Sequence, residues 1–129
     1  MNFEYYLEID ESIDKYQLCK ICIKAGAQVS LGTNNVFNIY FSNSDLKGNI
    51  YKTSFDQRDI KADDQQNLCF SVCWRCIFRF NTFHFDEKIV DFEFLLESIY
   101  KLNQAKFIVS FQLETVHYLS DGLVFKKLY

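Results

Sequence analysis

The chain contains no proline, and only four glycines and one methionine among 129 residues. No stretch is rich in glycine, serine or proline, so no linker, repeat or low-complexity tract divides it. It reads as one domain, residues 1–129, long enough for a single core. No apolar run approaches the roughly 18 residues needed to cross a bilayer. The opening Met1-Asn2-Phe3-Glu4 lacks a basic region followed by an apolar one, so no signal peptide is read and a cytoplasmic location is expected. Positive charge is in deficit, with 14 Lys and Arg against 17 Asp and Glu, a net charge of −3. A nucleic-acid surface normally shows a basic patch, so neither nucleic acid nor membrane is an expected partner. Glycine is too sparse for a phosphate-cradling loop, and no nucleophile elbow is present. The residues alone therefore give a soluble α+β domain with no catalytic signature and no cofactor motif.

What the chain does have is apolar and aromatic mass: nearly half of it is hydrophobic, with 14 Phe and 8 Tyr. Residues 67–81, NLCFSVCWRCIFRFN, concentrate it. At a period of two, one face carries Leu68, Phe70, Val72, Trp74, Cys76, Phe78 and Phe80. Cys69, Ser71, Cys73, Arg75, Ile77 and Arg79 take the other. Strand side chains alternate between faces, so this predicts a long central strand with its aromatic side against helices. Residues 3–9 alternate likewise, with Glu4, Tyr6 and Glu8 on the polar side. A helix is expected over about 13–25, capped by Asp10 or Ser12 and ended by Gly26. Strands are expected at 27–31, 36–42 and, more weakly, 49–55, with a turn at 43–48 between the last two. The polar run 56–66 reads as a surface loop and the most mobile part. Asp86 is the expected cap of a second helix, about 87–103, whose arc Ile89, Phe92, Leu95, Leu96, Ile99 and Leu102 faces inward. Val90 and Phe94 interrupt its polar side, which hints at a second contact. Strands at 106–113, 115–119 and 123–125 close the chain. The order β-α-β-β-β-β-α-β-β-β gives an α+β fold, a mainly antiparallel sheet packed against two helices.

Cys19-x-x-Cys22 and Cys73-x-x-Cys76 have the spacing of a four-thiolate zinc site. Geometry argues against it. One pair falls in a helix and the other in a strand, where residues three apart point to opposite faces. Buried free thiols are expected, and an odd total of five cysteines fits reduced thiols. Either His84 or His117 could serve as a base beside a cysteine, which keeps a small cysteine-dependent enzyme as an alternative. A self-assembling interaction domain is another.

Carboxylates cluster three times: Glu8, Asp10, Glu11 and Asp14; Asp56, Asp59, Asp63 and Asp64; and Asp86, Glu87, Asp91, Glu93 and Glu97. Such clusters suit helix N-termini and solvated loops. They also suit a negative surface that meets a basic protein, steering association and rejecting wrong partners.

The opening FEYYLEI of residues 3–9, the helix after it and the strand ending IFRFN at 77–81 resemble small immunity proteins of bacterial polymorphic toxin systems. The capped helix ending near Leu102, the apolar strand 106–112, the hairpin and the SDGLVF ending at 120–125 extend the likeness. It covers most of the chain and is weakest over 43–66. The resemblance implies a protein that binds and neutralises a cognate toxin in the cytoplasm, without catalytic residues, metal or cofactor. It fixes no binding residues. The acidic pattern supplies the candidates: Asp56, Asp59, Asp63 and Asp64 of the polar loop, with Glu93, Phe94 and Glu97 of the second helix, occluding the toxin's active site. Monomer and homodimer both remain open.

Overall fold

Alternating apolar residues drive the strands, and a computed structural model describing residues 2–64, 66 and 68–129 shows how they pair. The elements run β1 (Phe3–Ile9), α1 (Lys15–Lys24), β2 (Gln28–Leu31), β3 (Phe37–Phe41), β4 (Leu46–Lys52), β5 (Trp74–Phe80), α2 (Phe85–Asn103), β6 (Lys106–Phe111), β7 (Thr115–Asp121) and β8 (Phe125–Lys127). The strands form one eight-stranded sheet in the order β2-β3-β4-β5-β1-β6-β7-β8, each pairing antiparallel. The expected α+β class, element order and sheet-on-helices architecture are all present.

Both helices lie on the face formed by Tyr5, Leu7 and Ile9 of β1 and Trp74, Cys76, Phe78 and Phe80 of β5. Phe92 of α2 centres that core. Its ring stacks on Tyr5 with centroids 5.4 Å apart and meets Phe78 and Phe80 edge-on at 5.0 and 5.5 Å. Burying one such ring is worth about 2–3 kcal/mol. Gly48 lies beneath the Phe78 ring. A Cβ there would sit 2.6 Å from Phe78 Cδ1, which explains a glycine inside a strand.

Several local details differ from the sequence expectation. α1 is capped by Asp14, not by Asp10 or Ser12. Asp14 Oδ1 accepts the Gln17 amide at 2.8 Å and Gln17 Oε1 accepts the Asp14 amide at 3.0 Å. That reciprocal box satisfies two free helix donors at once, while Asp10 accepts from Ser12 and from the Lys106 amide. α2 starts at Phe85, after His84 in a left-handed conformation with φ 49° and without a side-chain cap. Asp86 and Glu87 fall in its first turn, where the dipole favours them. β4 begins inside the expected turn, because Leu46, Gly48 and Ile50 face the core. β8 comes later than expected, because Asp121 Oδ1 accepts the Leu123 and Val124 amides and prolongs the turn.

The largest difference concerns the central strand. Residue 67, where the expected strand begins, lies outside the described residues, and β5 itself starts only at Trp74. Val72 donates its amide to Arg58 rather than to the sheet. Between β4 and β5 the described residues form a crossing segment over the second face of the sheet.

Candidate functional site

The crossing segment is fastened by a buried ion pair. Glu8 and Arg75, cross-strand partners on β1 and β5, both point to the face opposite the helices. Arg75 Nε and Nη2 donate to Glu8 Oε2 at 3.2 and 2.9 Å. The remaining hydrogen-bonding capacity goes to the segment's backbone. Glu8 accepts the amides of Lys61 at 2.8 Å and Ala62 at 3.1 Å. Arg75 donates to the carbonyls of Gln57 at 3.1 Å and Asp59 at 2.9 Å. A buried charge pair is tolerable only when its remaining lone pairs and protons are satisfied in this way. Glu8 therefore leaves the first acidic cluster: it sits on the polar side of β1 as expected, yet is fully buried. Beyond the pair, Ala62 packs on Ile108, Val116 and Leu119, with Ile60, Leu68 and Phe70 around it. The Asp63 and Asp64 amides donate to the carbonyls of Leu113 and Glu114.

This strap covers half of the second face and leaves the other half bare. Next to the covered ladder of Ile108, Glu8 and Arg75, Tyr51 is the first residue only half-buried. The adjacent ladder runs Tyr6, Ile77, Asn49, Asn38 and Ser30, across β1, β5, β4, β3 and β2. The next runs Glu4, Arg79, Lys47, Tyr40 and Gln28. Every one of these side chains is half-buried or exposed. They brace one another: Asn49 Nδ2 donates to Asn38 at 2.7 Å, Arg79 Nη1 to Asn49 at 2.5 Å and the Tyr6 hydroxyl to Glu4 at 3.0 Å. At the end of the ladders, Glu4, Lys47 and Arg79 line a hollow of about 450 Å³ with Phe3 and Phe80.

The structure ties one of the acidic loop residues to the edge of this bare half. Asp59 is held through its own carbonyl directly over Arg75, the neighbour of Tyr51. Asp56 sits in the short turn Phe55–Gln57 beside Phe55, which is 87% exposed. The Ser54 hydroxyl bonded to Asp56 holds that carboxyl below its ordinary range. Asp63 is exposed, and Asp64 accepts from Gln66. Glu93, Phe94 and Glu97 are elsewhere. They lie on α2, which packs on the opposite face of the sheet, so the structure does not bring the two halves of the expected surface together. Glu93 is engaged locally, accepting the Tyr118 hydroxyl at 2.7 Å and lying 2.8 Å from Lys127 Nζ. Burial would raise its carboxyl, and these two partners outweigh that and hold it low. Glu97 faces Lys101 at 3.8 Å, and Phe94 is exposed.

Tyr6, Tyr51, Ile77 and Arg79 are the residues that sequence reasoning passed over. The signal was present: tyrosine and isoleucine at the outward positions of alternating strands, where solvation alone calls for small polar or charged groups.

Four of the five thiols are held protonated by burial, and the fifth, Cys69, is exposed. Burial pushes Cys22 up to about 12 and Cys76 well above its ordinary value. Cys19 and Cys73 are raised by burial too, although Cys73 lines a hollow of about 250 Å³ with Lys52 and Arg58. His117 shares a 2.6 Å hydrogen bond with the Tyr5 hydroxyl, not with a cysteine. Among the described residues, no three His, Cys, Asp or Glu side chains are grouped to hold a metal, and no helix is long and apolar enough to cross a membrane. Compared with protein-family models, curated proteins and solved structures, the sequence matches none.

Proposed function

We propose that this chain is an immunity-type protein of the cytoplasm, which neutralises a cognate bacterial toxin by stoichiometric binding on the bare half of its sheet. The observation that carries this reading is the pairing of that tyrosine-rich half with an acidic strap fixed beside it. Tyr6, Tyr51 and Ile77 supply rigid contact area, and tyrosine and arginine are the residue types that dominate binding energy at protein interfaces. Asp59 at the margin, with Asp56 three residues away on the same strap, supplies the charge that steers a basic partner. β1, β4 and β5, which carry these residues, are each held by backbone pairing on both sides, so little ordering is lost on docking. The raised thiols of Cys19, Cys22, Cys73 and Cys76 weigh against an enzyme built on any of those four, since the thiolate is the nucleophile.

The test is co-expression with the toxin encoded beside this gene. The wild-type chain protects cells, and Tyr6→Ala with Ile77→Arg abolishes protection while leaving the urea midpoint unchanged. Failure of the wild type to protect would sink the reading. Full protection by the double variant would move the contact off the sheet.

A further inference from the structure

The outer side of the helix layer carries large apolar residues with nothing described above them. α1 turns Leu18, Ile21 and Cys22 to the core, and Tyr16 and Ile23 point away, 70% and 58% exposed. α2 buries Phe92, Leu95, Leu96 and Ile99, and leaves Val90 and Phe94, one turn apart, 65% and 53% exposed. Single exposed apolar residues are ordinary, but four large ones on one face of a two-helix layer mark a contact surface. The helices are neighbours, since Gln17, Lys20, Ile21 and Lys24 share a groove with Leu102 and Asn103.

Charge divides this face in two. Beside Tyr16 and Ile23, α1 presents Lys20 and Lys24 and no carboxylate, its Lys15 lying over the Phe37 ring. Around Val90 and Phe94, α2 presents Asp86, Glu87 and Glu97; its Lys88 is buried, and its Lys101 is already beside Glu97. A basic apolar helix beside an acidic apolar helix is complementary to itself after rotation about a two-fold axis. Each α1 then meets the other copy's α2, whereas α1 against α1 would oppose like charges. We propose that the chain forms a two-fold homodimer through this face, with Tyr16 and Ile23 packing on Val90 and Phe94 of the second copy. Both contacts are used at once, so assembly stops at two. The proposal does not rest on the toxin reading, and it leaves the bare half of each sheet facing outward.

Sedimentation equilibrium tests it through charge exchange. Wild type should sediment with twice the chain mass, and Phe94→Arg or Val90→Arg with the single mass. Lys20→Glu with Lys24→Glu makes both helices acidic, and Glu87→Lys with Glu97→Lys makes both basic. Each of these pairs should be monomeric alone, with dissociation constants raised at least about tenfold, and the two mixed in equal amounts should form a heterodimer. All the altered side chains are exposed, and circular dichroism verifies that each variant folds. A wild type that stays monomeric at about 100 μM, where even weak specific contacts associate, overturns the proposal. So does a dimer that survives both arginine variants, or a mixture that yields no heterodimer. Protection of cells by a monomeric variant would leave the toxin reading standing on its own.

Discussion

Arg75→Met asks whether the buried pair fixes the strap. Methionine keeps an unbranched stem for packing and deletes the guanidinium. Glu8 then retains the Lys61 and Ala62 amides, at 2.8 and 3.1 Å, and loses the only positive charge bonded to it among the described residues. The carbonyls of Gln57 and Asp59 lose their donor as well. Neither side chain is more than 2% exposed, so solvent does not screen the loss. Breaking a pair in this setting costs about 3–5 kcal/mol, against at most about 1 kcal/mol for an exposed pair. Urea unfolding gives the magnitude, and amide exchange gives the place: Lys61 and Ala62 should lose protection before the amides of β5. Glu8→Leu with Arg75→Met should recover much of the loss, because no unpaired charge remains inside. The reasoning fails if Arg75→Met costs under about 1 kcal/mol, or if the double variant is less stable than the single one.

Gly48→Ala should destabilise by about 1–3 kcal/mol, since the new Cβ meets the Phe78 ring at 2.6 Å; an unchanged thermal midpoint would count against that packing. Ser110 Oγ is buried with no partner among the described residues, so Ser110→Ala should raise stability by about 1 kcal/mol, read by the urea midpoint, and a loss would show that the hydroxyl is satisfied. Burial holds His117 below its ordinary 6.5. The fold thus favours the neutral ring, and this contribution is complete above pH 6.5 and lost as pH falls from there through the depressed folded value. Unfolding midpoints measured across that window should fall with acid in the wild type and fall less in His117→Gln; parallel curves would refute the assignment.

The architecture was legible because it rests on period. Phe3, Tyr5, Leu7 and Ile9 alternate without a break, and α2 carries its arc from Phe92 to Ile99, so strand and helix announce themselves locally. The strap was not legible for a physical reason. Its tie is made by the backbone of residues 57–62 to two side chains on strands far away in the chain, Glu8 and Arg75. No local pattern encodes such a bond. A charged residue at an outward strand position looks solvated until something lies over it. The same blindness split the expected surface: acidic side chains cluster in sequence whether or not they share a face, and strand parity, not charge, decides that the loop and α2 lie on opposite sides.

On the proposed reading, folding and recognition would fall on different side chains of the same strands. On β1, Leu7 and Ile9 hold the helix layer and Glu8 holds the strap, while Tyr6 just before them makes one side-chain bond among the described residues, to Glu4. On β5, Cys76 and Phe78 are core and Arg75 is the clasp, while Ile77 faces out half-buried. Substituting Tyr6 or Ile77 removes few contacts from the fold, so the bare half can change its chemistry without loosening the sheet beneath it. The strap cannot change so freely near residues 57–62, where its backbone is the buried pair's partner. This division of labour makes the reading discriminating: variants at Tyr6 and Ile77 separate binding from stability, and a variant at Arg75 damages both.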